Sequence, residues 1–329
     1  MTNSLARRHI VAIALGVSGS LALPIANAQP AIDDYPTKPI KIIVPFAAGG
    51  SVDAIARVLA ERMHEHWGQP VLVESKPGAS TQIGSAALAS AEPDGYTVMI
   101  AVSNHTTNPV LRKSLPYDTL KDFQPIGLIA RTPIVAYANP KFPPNTLREL
   151  VDYAKTHAGP INFGSAGAGS MTHLTAEMFK IESKIDMQHV VYKGGTPALM
   201  DVIAGHIPMT FATVGQALEN YRAGQVKPLG ISSAERYASV PDVPTFKEQG
   251  FDVVATEWFG MLAPAGTPRP IVDKLNDEIR RIIALPGLGD RLTAIELVSS
   301  TPEELGDFIK AEMDKLSPLV RQIGLAGSQ

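Results

Sequence analysis

Two rhythms of apolar and polar positions alternate along the chain. Short runs of strand-forming residues at 40–46, 71–74 and 97–102 are separated by stretches whose apolar residues recur at helical spacing. In the first such stretch Val52, Ile55, Ala56, Leu59 and Met63 share one face. They predict a helix that opens near Ser51 and stops at Gly68 and Pro70. A second helix passes through Ile83, Ala87 and Leu88, and Pro93-Asp94-Gly95 turns the chain into the third strand. The order β-α-β-α-β predicts a parallel sheet with helices on both faces, an α/β fold.

The middle of the chain repeats the theme. A helix marked by Leu147, Leu150, Val151 and Ala154 leads to a strand at 161–164, and Ser170 opens a helix through Leu174, Met178 and Ile181. A strand at 187–192 and a helix through Leu199, Val202 and Ile203 follow, then strands at 209–212 and 226–231 around a short helix at 216–223. The end is helical, with stripes at Ile271, Val272, Leu275, Ile279 and Ile282 and then at Leu305, Phe308, Ile309, Met313 and Leu316. Pro318 is expected to kink or end the last helix.

Proline-rich stretches at 139–145 and 263–270 are the places where the chain is expected to change domain. A length of 329 residues allows two domains. The expected division is a discontinuous first domain, residues 29–139 and 260–329, around a continuous second one, residues 140–259. A hinge at strands near 134–138 and 259–263 would restrict motion to opening and closing.

The first 28 residues read as an export signal. Arg7 and Arg8 precede an apolar run, and Ala26-Asn27-Ala28 offers small residues for cleavage after Ala28. Gly16, Ser18, Gly19 and Ser20 interrupt the run, which is shorter than the roughly 20 residues a membrane span needs. The formal charge is −3, and loss of Arg7 and Arg8 with the signal lowers it by two. Such a chain carries no basic footprint for nucleic acid. It has no cysteine, which excludes a disulfide frame, a thiolate metal site, a cysteine nucleophile and a lipid-modified cysteine. The histidines show no metal-ligand spacing except His64-x-His66, which would point to opposite sides of a helix, so neither metal nor cofactor is expected.

Candidate chemistry lies in loops that leave a strand and open a helix: Ala47-Ala48-Gly49-Gly50-Ser51, Gly78-Ala79-Ser80-Thr81, the loop Ser165-Ala166-Gly167-Ala168-Gly169-Ser170, and Lys193-Gly194-Gly195-Thr196. Small residues let an anion approach the backbone, and a helix start supplies unpaired N–H groups and about half a positive charge. Each hydroxyl could instead simply cap its helix. Ser103, Asn104 and His105 follow the third strand and Thr213 follows the strand at 209–212, at equivalent positions. Asp53, in a first helical turn, either pairs with the helix dipole or holds loop amides or a ligand amine. No P-loop is present, and Gly167-x-Gly169 lacks the rest of a dinucleotide fingerprint. Ser170 and His173 lie one turn apart, but the run around Ser170 is not a nucleophile elbow, so hydrolysis is not expected. The loops hold no arginine and only Lys193 as a cation, so a carboxylate would be held mainly by neutral donors.

The chain resembles the Bug-type substrate-binding proteins of tripartite tricarboxylate transporters from about Tyr35 to Gly324. The motifs that carry the resemblance include Val44-Pro45-Phe46-x-x-Gly49-Gly50-x-x-Asp53, Pro93-Asp94-Gly95-Tyr96-Thr97, Gly164-Ser165-Ala166-Gly167-x-Gly169-Ser170-x-x-His173, Pro241-x-Val243-Pro244-Thr245 and Trp258-x-Gly260. The resemblance implies a type II periplasmic-binding-protein fold, two doubly wound lobes around a hinged cleft. It implies a small organic carboxylate as ligand and membrane permease subunits driven by an ion gradient as partners. Ala48, Gly49, Gly50, Ser51 and Asp53 would then face Ser165, Gly167, Gly169, Ser170 and His173 across the cleft. Where the family has Gly-Ala-Gly-Gly, this chain has Gly78-Ala79-Ser80-Thr81; where it has Val-Pro-Tyr, Val190-Val191-Tyr192; and Ala212 stands where an acid is common. The expected protein is a periplasmic, monomeric binder without enzymatic activity. A sensor that presents its closed form to a membrane kinase is the alternative.

Overall fold

The computed structural model describes residues 34–292 and 294–328; the expected export signal, residues 1–28, lies outside them. The first lobe opens with β1 (Ile40–Val44), α1 (Ser51–Trp67), β2 (Val71–Ser75), α2 (Gln82–Ala89), β3 (Thr97–Ala101) and α3 (Asn104–Leu111). A 16-residue strand, β4 (Phe123–Ala138), then carries the chain to the second lobe. That lobe contains α4 (Leu147–Thr156), β5 (Ile161–Ser165), α5 (Met171–Ser183), β6 (Met187–Val191), α6 (Gly195–Ala204), β7 (Met209–Thr213), α7 (Val214–Arg222) and β8 (Lys227–Ile231). The chain returns along β9 (Thr256–Pro264) and ends with α8 (Arg269–Ile283), α9 (Leu288–Arg291), β10 (Glu296–Leu297) and α10 (Pro302–Gln322).

Each lobe has the same plan. Parallel strands lie in the order β2-β1-β3 in one and β6-β5-β7 in the other. β1 is a nearly unbroken apolar run because helices cover both of its faces, as parallel strands require. The apolar stripe of α1 is buried as its spacing predicts, and Gly68, at φ 69°, ends the helix in the left-handed conformation that glycine adopts without strain.

The sheet departs from the expected parallel arrangement at its middle. β9 runs antiparallel to both β3 and β4, so the whole is mixed. β4 pairs with β9 as far as Pro133 and with β7 from Ile134 onward. β4 therefore links the two sheets, and its antiparallel ladder with β9 follows from one strand leaving the first lobe and the other returning.

α10 runs through Pro318 instead of ending there. Proline removes one helix hydrogen bond, to the carbonyl of Asp314. Both residues are exposed, so water replaces the lost donor. The last turns are held by packing: Leu305 and Ile309 sit in the first lobe's core, whereas Leu316 and Val320 join the core of the second. α10 is thus, after β4, a second element spanning both lobes.

Candidate functional site

The carboxyl ends of β1, β2 and β3 meet those of β5, β6 and β7 across the gap between lobes. This is the position at which open α/β sheets bind ligands. Ser51 Oγ lies 2.8 Å from Thr213 Oγ1, Met171 N–H donates to Ser103 Oγ at 3.2 Å, and Thr107 Oγ1 donates to Gly169 O at 2.8 Å. The lobes are in contact.

Between them lies a narrow, partly open cavity of about 50 Å³. Gly50, Ser51 and Asp53 line it from the first lobe, and Thr172, Thr196, Thr213 and Gln216 from the second. Three helices begin here without a side-chain cap: α1 at Gly50, α6 at Gly194 and α7 at Thr213. Uncapped starts leave backbone N–H groups unpaired and concentrate positive dipole ends at one spot. Gln216 Nε2 is buried without a partner, one more donor in the cavity wall. Among the described residues no lysine or arginine lines this cavity.

Asp53 supports its loop from below. Its Oδ2 accepts from Gly49 N–H at 3.1 Å and from Arg57 Nε at 2.9 Å. Ala48 and Gly49 themselves are exposed at the loop tip.

A second, adjoining recess of about 230 Å³ shares Phe46 and Ala166 with the cavity. Ser80, Thr81 and Gly167 line it, together with the cations Arg112 and Lys193. Arg112 sits at the end of α3, and its Nε is buried without a partner. Residues 79–81 form a tight loop in which Ala79, Ser80 and Thr81 all have positive φ, at 46°, 52° and 74°.

The remaining sequence candidates lie around these spaces rather than on them. Ser170 is buried; its Oγ donates to Gly167 O at 2.7 Å and accepts from His173 N–H at 3.3 Å, so its hydroxyl is committed to capping α5. His173 Nδ1 accepts from Gly169 N–H at 3.1 Å, which fixes the tautomer. His189 stacks on the His173 ring at 3.7 Å and holds Ser165 Oγ at 2.6 Å; burial and His173 push its pKa down to about 3. Asn104 Nδ2 meets Ala168 O at 3.5 Å. His105 is in the core, edge-on to Phe123, and burial pushes it down to about 4.

Sequence reasoning did not single out Thr172, Gln216 or Glu257. Glu257 lies within β9, lines the cavity, and is 6 % exposed. Ser103 N–H donates to its Oε1 at 3.0 Å. Burial pushes its pKa up to about 7, against the pull of Ser103.

A two-lobed α/β molecule with uncapped helix starts around an interlobe cavity is a solute-binding protein by architecture. Residues 55–325 match the model of the tripartite tricarboxylate transporter family receptor, and the chain belongs to that family. Protein BugT of Bordetella pertussis is 33 % identical over 320 residues, 96 % of each chain. A solved structure described as a periplasmic transporter is 38 % identical, covering 89 % of this chain and 99 % of its own, with a TM-score of 0.85. The R. palustris protein Rpa4515, solved with adipate, is 29 % identical over 89 % of this chain and 99 % of its own, with a TM-score of 0.86. The chain is accordingly a periplasmic solute-binding protein of a tripartite transport system, not an enzyme.

Proposed function

We propose that the cavity captures a small organic carboxylate by hinge closure and that the closed form is what the membrane permease reads. The observation that carries this is the convergence of three uncapped helix starts on one interlobe cavity without a basic side chain. Neutral, preoriented N–H and O–H donors suit an anion there. Hydrogen bonds to a charged acceptor contribute about 1.5–3 kcal/mol each, so a few reach micromolar affinity, about −8 kcal/mol. Arg112 and Lys193 in the adjoining recess favour an acid with a second anionic group. Adipate in Rpa4515 is such an acid.

The change of pairing partner within β4 supports a hinge between residues 29–139 with 260–329 and residues 140–259. The receptor acts as a monomer after cleavage following Ala28. Ser51, Thr196, Thr213, Thr172 and Gln216 contact the ligand, Asp53 shapes the Gly49-Gly50 loop, and Ser80 and Thr81 border the second charge.

Gly50 offers a direct test. Its φ is −93° and ψ 177°, extended backbone open to any residue, and an added Cβ would meet only Thr196 Oγ1, at 3.9 Å across the cleft. Gly50→Leu therefore fills the cavity, at a cost of at most about 1 kcal/mol in stability from the changed cap. Calorimetric titration of a panel of mono- and dicarboxylates, adipate included, should show binding to the wild type. The variant should lose at least about 100-fold in affinity, near 2.7 kcal/mol. Equal affinity in a folded Gly50→Leu protein would place the ligand elsewhere.

A further inference from the structure

The acid in the cavity is at odds with an anionic ligand. Glu257 reaches the space from β9, while the helix starts that would hold a carboxylate surround it. The charged groups around Glu257 give it no counter-ion. Asp53, across the cavity on α1, is already held by Arg57. Glu312, on α10 behind β9, adds a repulsive charge and has Lys315 at 3.4 Å. From the α3 side only neutral Ser103 approaches. Arg112 and Lys193 line the adjoining recess and not this cavity.

Asp53 has Arg57 as its counter-ion, but Glu257 and a bound carboxylate, crowded together with no cation between them, do not both stay ionised. A proton shared between them removes the repulsion and creates a short, charge-assisted O–H···O bond. Resting on the carboxylate reading above, we propose that ligand capture takes up one proton from water at Glu257, whose carboxylic acid then donates a hydrogen bond to the bound carboxylate. The proton goes to a Glu257 oxygen, no other bond is made or broken, and release of the ligand returns it to solvent.

Burial has already brought the free carboxyl to about 7, so near neutral pH this uptake costs little. Glu257 would then make the receptor selective twice over. It rewards an anion that accepts a hydrogen bond from β9, and it weakens the grip as the medium becomes alkaline.

The test is calorimetric titration of the mature chain with acetate, succinate, adipate and benzoate. It is run at about pH 6 and about pH 8.5 in buffers of different ionisation enthalpy, which reads out protons bound. For an acid that binds, affinity should be flat below about pH 7 and should fall towards about tenfold per pH unit above it, with close to one proton taken up at the alkaline end. Glu257→Gln keeps an acceptor for Ser103 N–H, and its binding should be independent of pH with no proton uptake. Binding by the wild type without uptake, or an unchanged pH profile in Glu257→Gln, would overturn the proposal and leave the carboxylate reading intact. Failure of every acid to bind at about pH 6 would remove the carboxylate reading, and this proposal with it.

Discussion

Ser170 and Thr172 stand two positions apart at the start of α5 and play different parts. Ser170 spends its hydroxyl on Gly167 O and on the cap of its own helix, whereas Thr172 reaches the cavity wall. Ser170→Ala should therefore cost about 1 kcal/mol of stability, the usual value of a cap. Its affinity should stay within about threefold of wild type, under 1 kcal/mol. Thermal denaturation and titration of the one variant check both, and a tenfold loss of affinity at full stability would make Ser170 a ligand contact. Ser51, Asp53 and Thr213 were legible because they follow strands and open helices. Glu257 was not, because it lies inside a strand and not in a glycine-rich turn. A signal was present: Glu257 is the sole charged residue in the apolar run Thr256–Pro264. An isolated charge in a fully covered strand must be paired, neutralised or functional.

At the scale of elements, the loop at residues 79–81 shows what a departure from the family pattern does. Ser80 and Thr81 stand at two positions where the resemblance implies glycine, and both are held at positive φ. The left-handed conformation costs a residue with a Cβ roughly 1–2 kcal/mol. Thr81 is β-branched as well, and its hydroxyl makes only a 3.4 Å contact with Asn108 Nδ2. Glycine relieves the strain but gains more freedom in the unfolded chain. Thr81 is also only 3 % exposed, so lost packing offsets the relieved strain, and Thr81→Gly should change stability by less than about 1 kcal/mol, a Tm shift under roughly 4 °C. Scanning calorimetry decides, and a larger fall in Tm would mean that the contacts of Thr81 outweigh its strain.

Most α-helices and parallel strands were readable from periodicity, since each buries a regular apolar face. α3 was not: Asn104–Leu111 contains Asn, His, Thr and Pro109, a composition that argues against a helix. Its polar side chains are buried by the opposite lobe and by the loop at 78–81, through Asn104, Thr107 and Asn108. Tertiary packing decided that segment, and no local pattern records it.

For the whole molecule, the two matching halves were visible as a repeated β-α-β-α-β order. The spanning of both lobes by α10 was not, because its apolar stripe is uniform and does not reveal that Leu305 and Leu316 enter different cores. β4, β9 and α10 together confine relative motion of the lobes to a narrow path. Leu316 is 3 % exposed, so Leu316→Ala should lose about 2–5 kcal/mol by leaving a cavity at that junction. Denaturant titration reads it, and a loss under about 1 kcal/mol would mean that the end of α10 is not firmly docked. The Ser51–Thr213 contact marks a closed arrangement, and a ligand that bridges the two lobes shifts the population toward it. The most direct measurement of that account is small-angle X-ray scattering of the mature chain, alone and saturated with a dicarboxylate shown to bind. The radius of gyration should fall with ligand in the wild type and stay constant in Gly50→Leu at the same ligand concentration. An unchanged radius in the saturated wild type would contradict capture by closure.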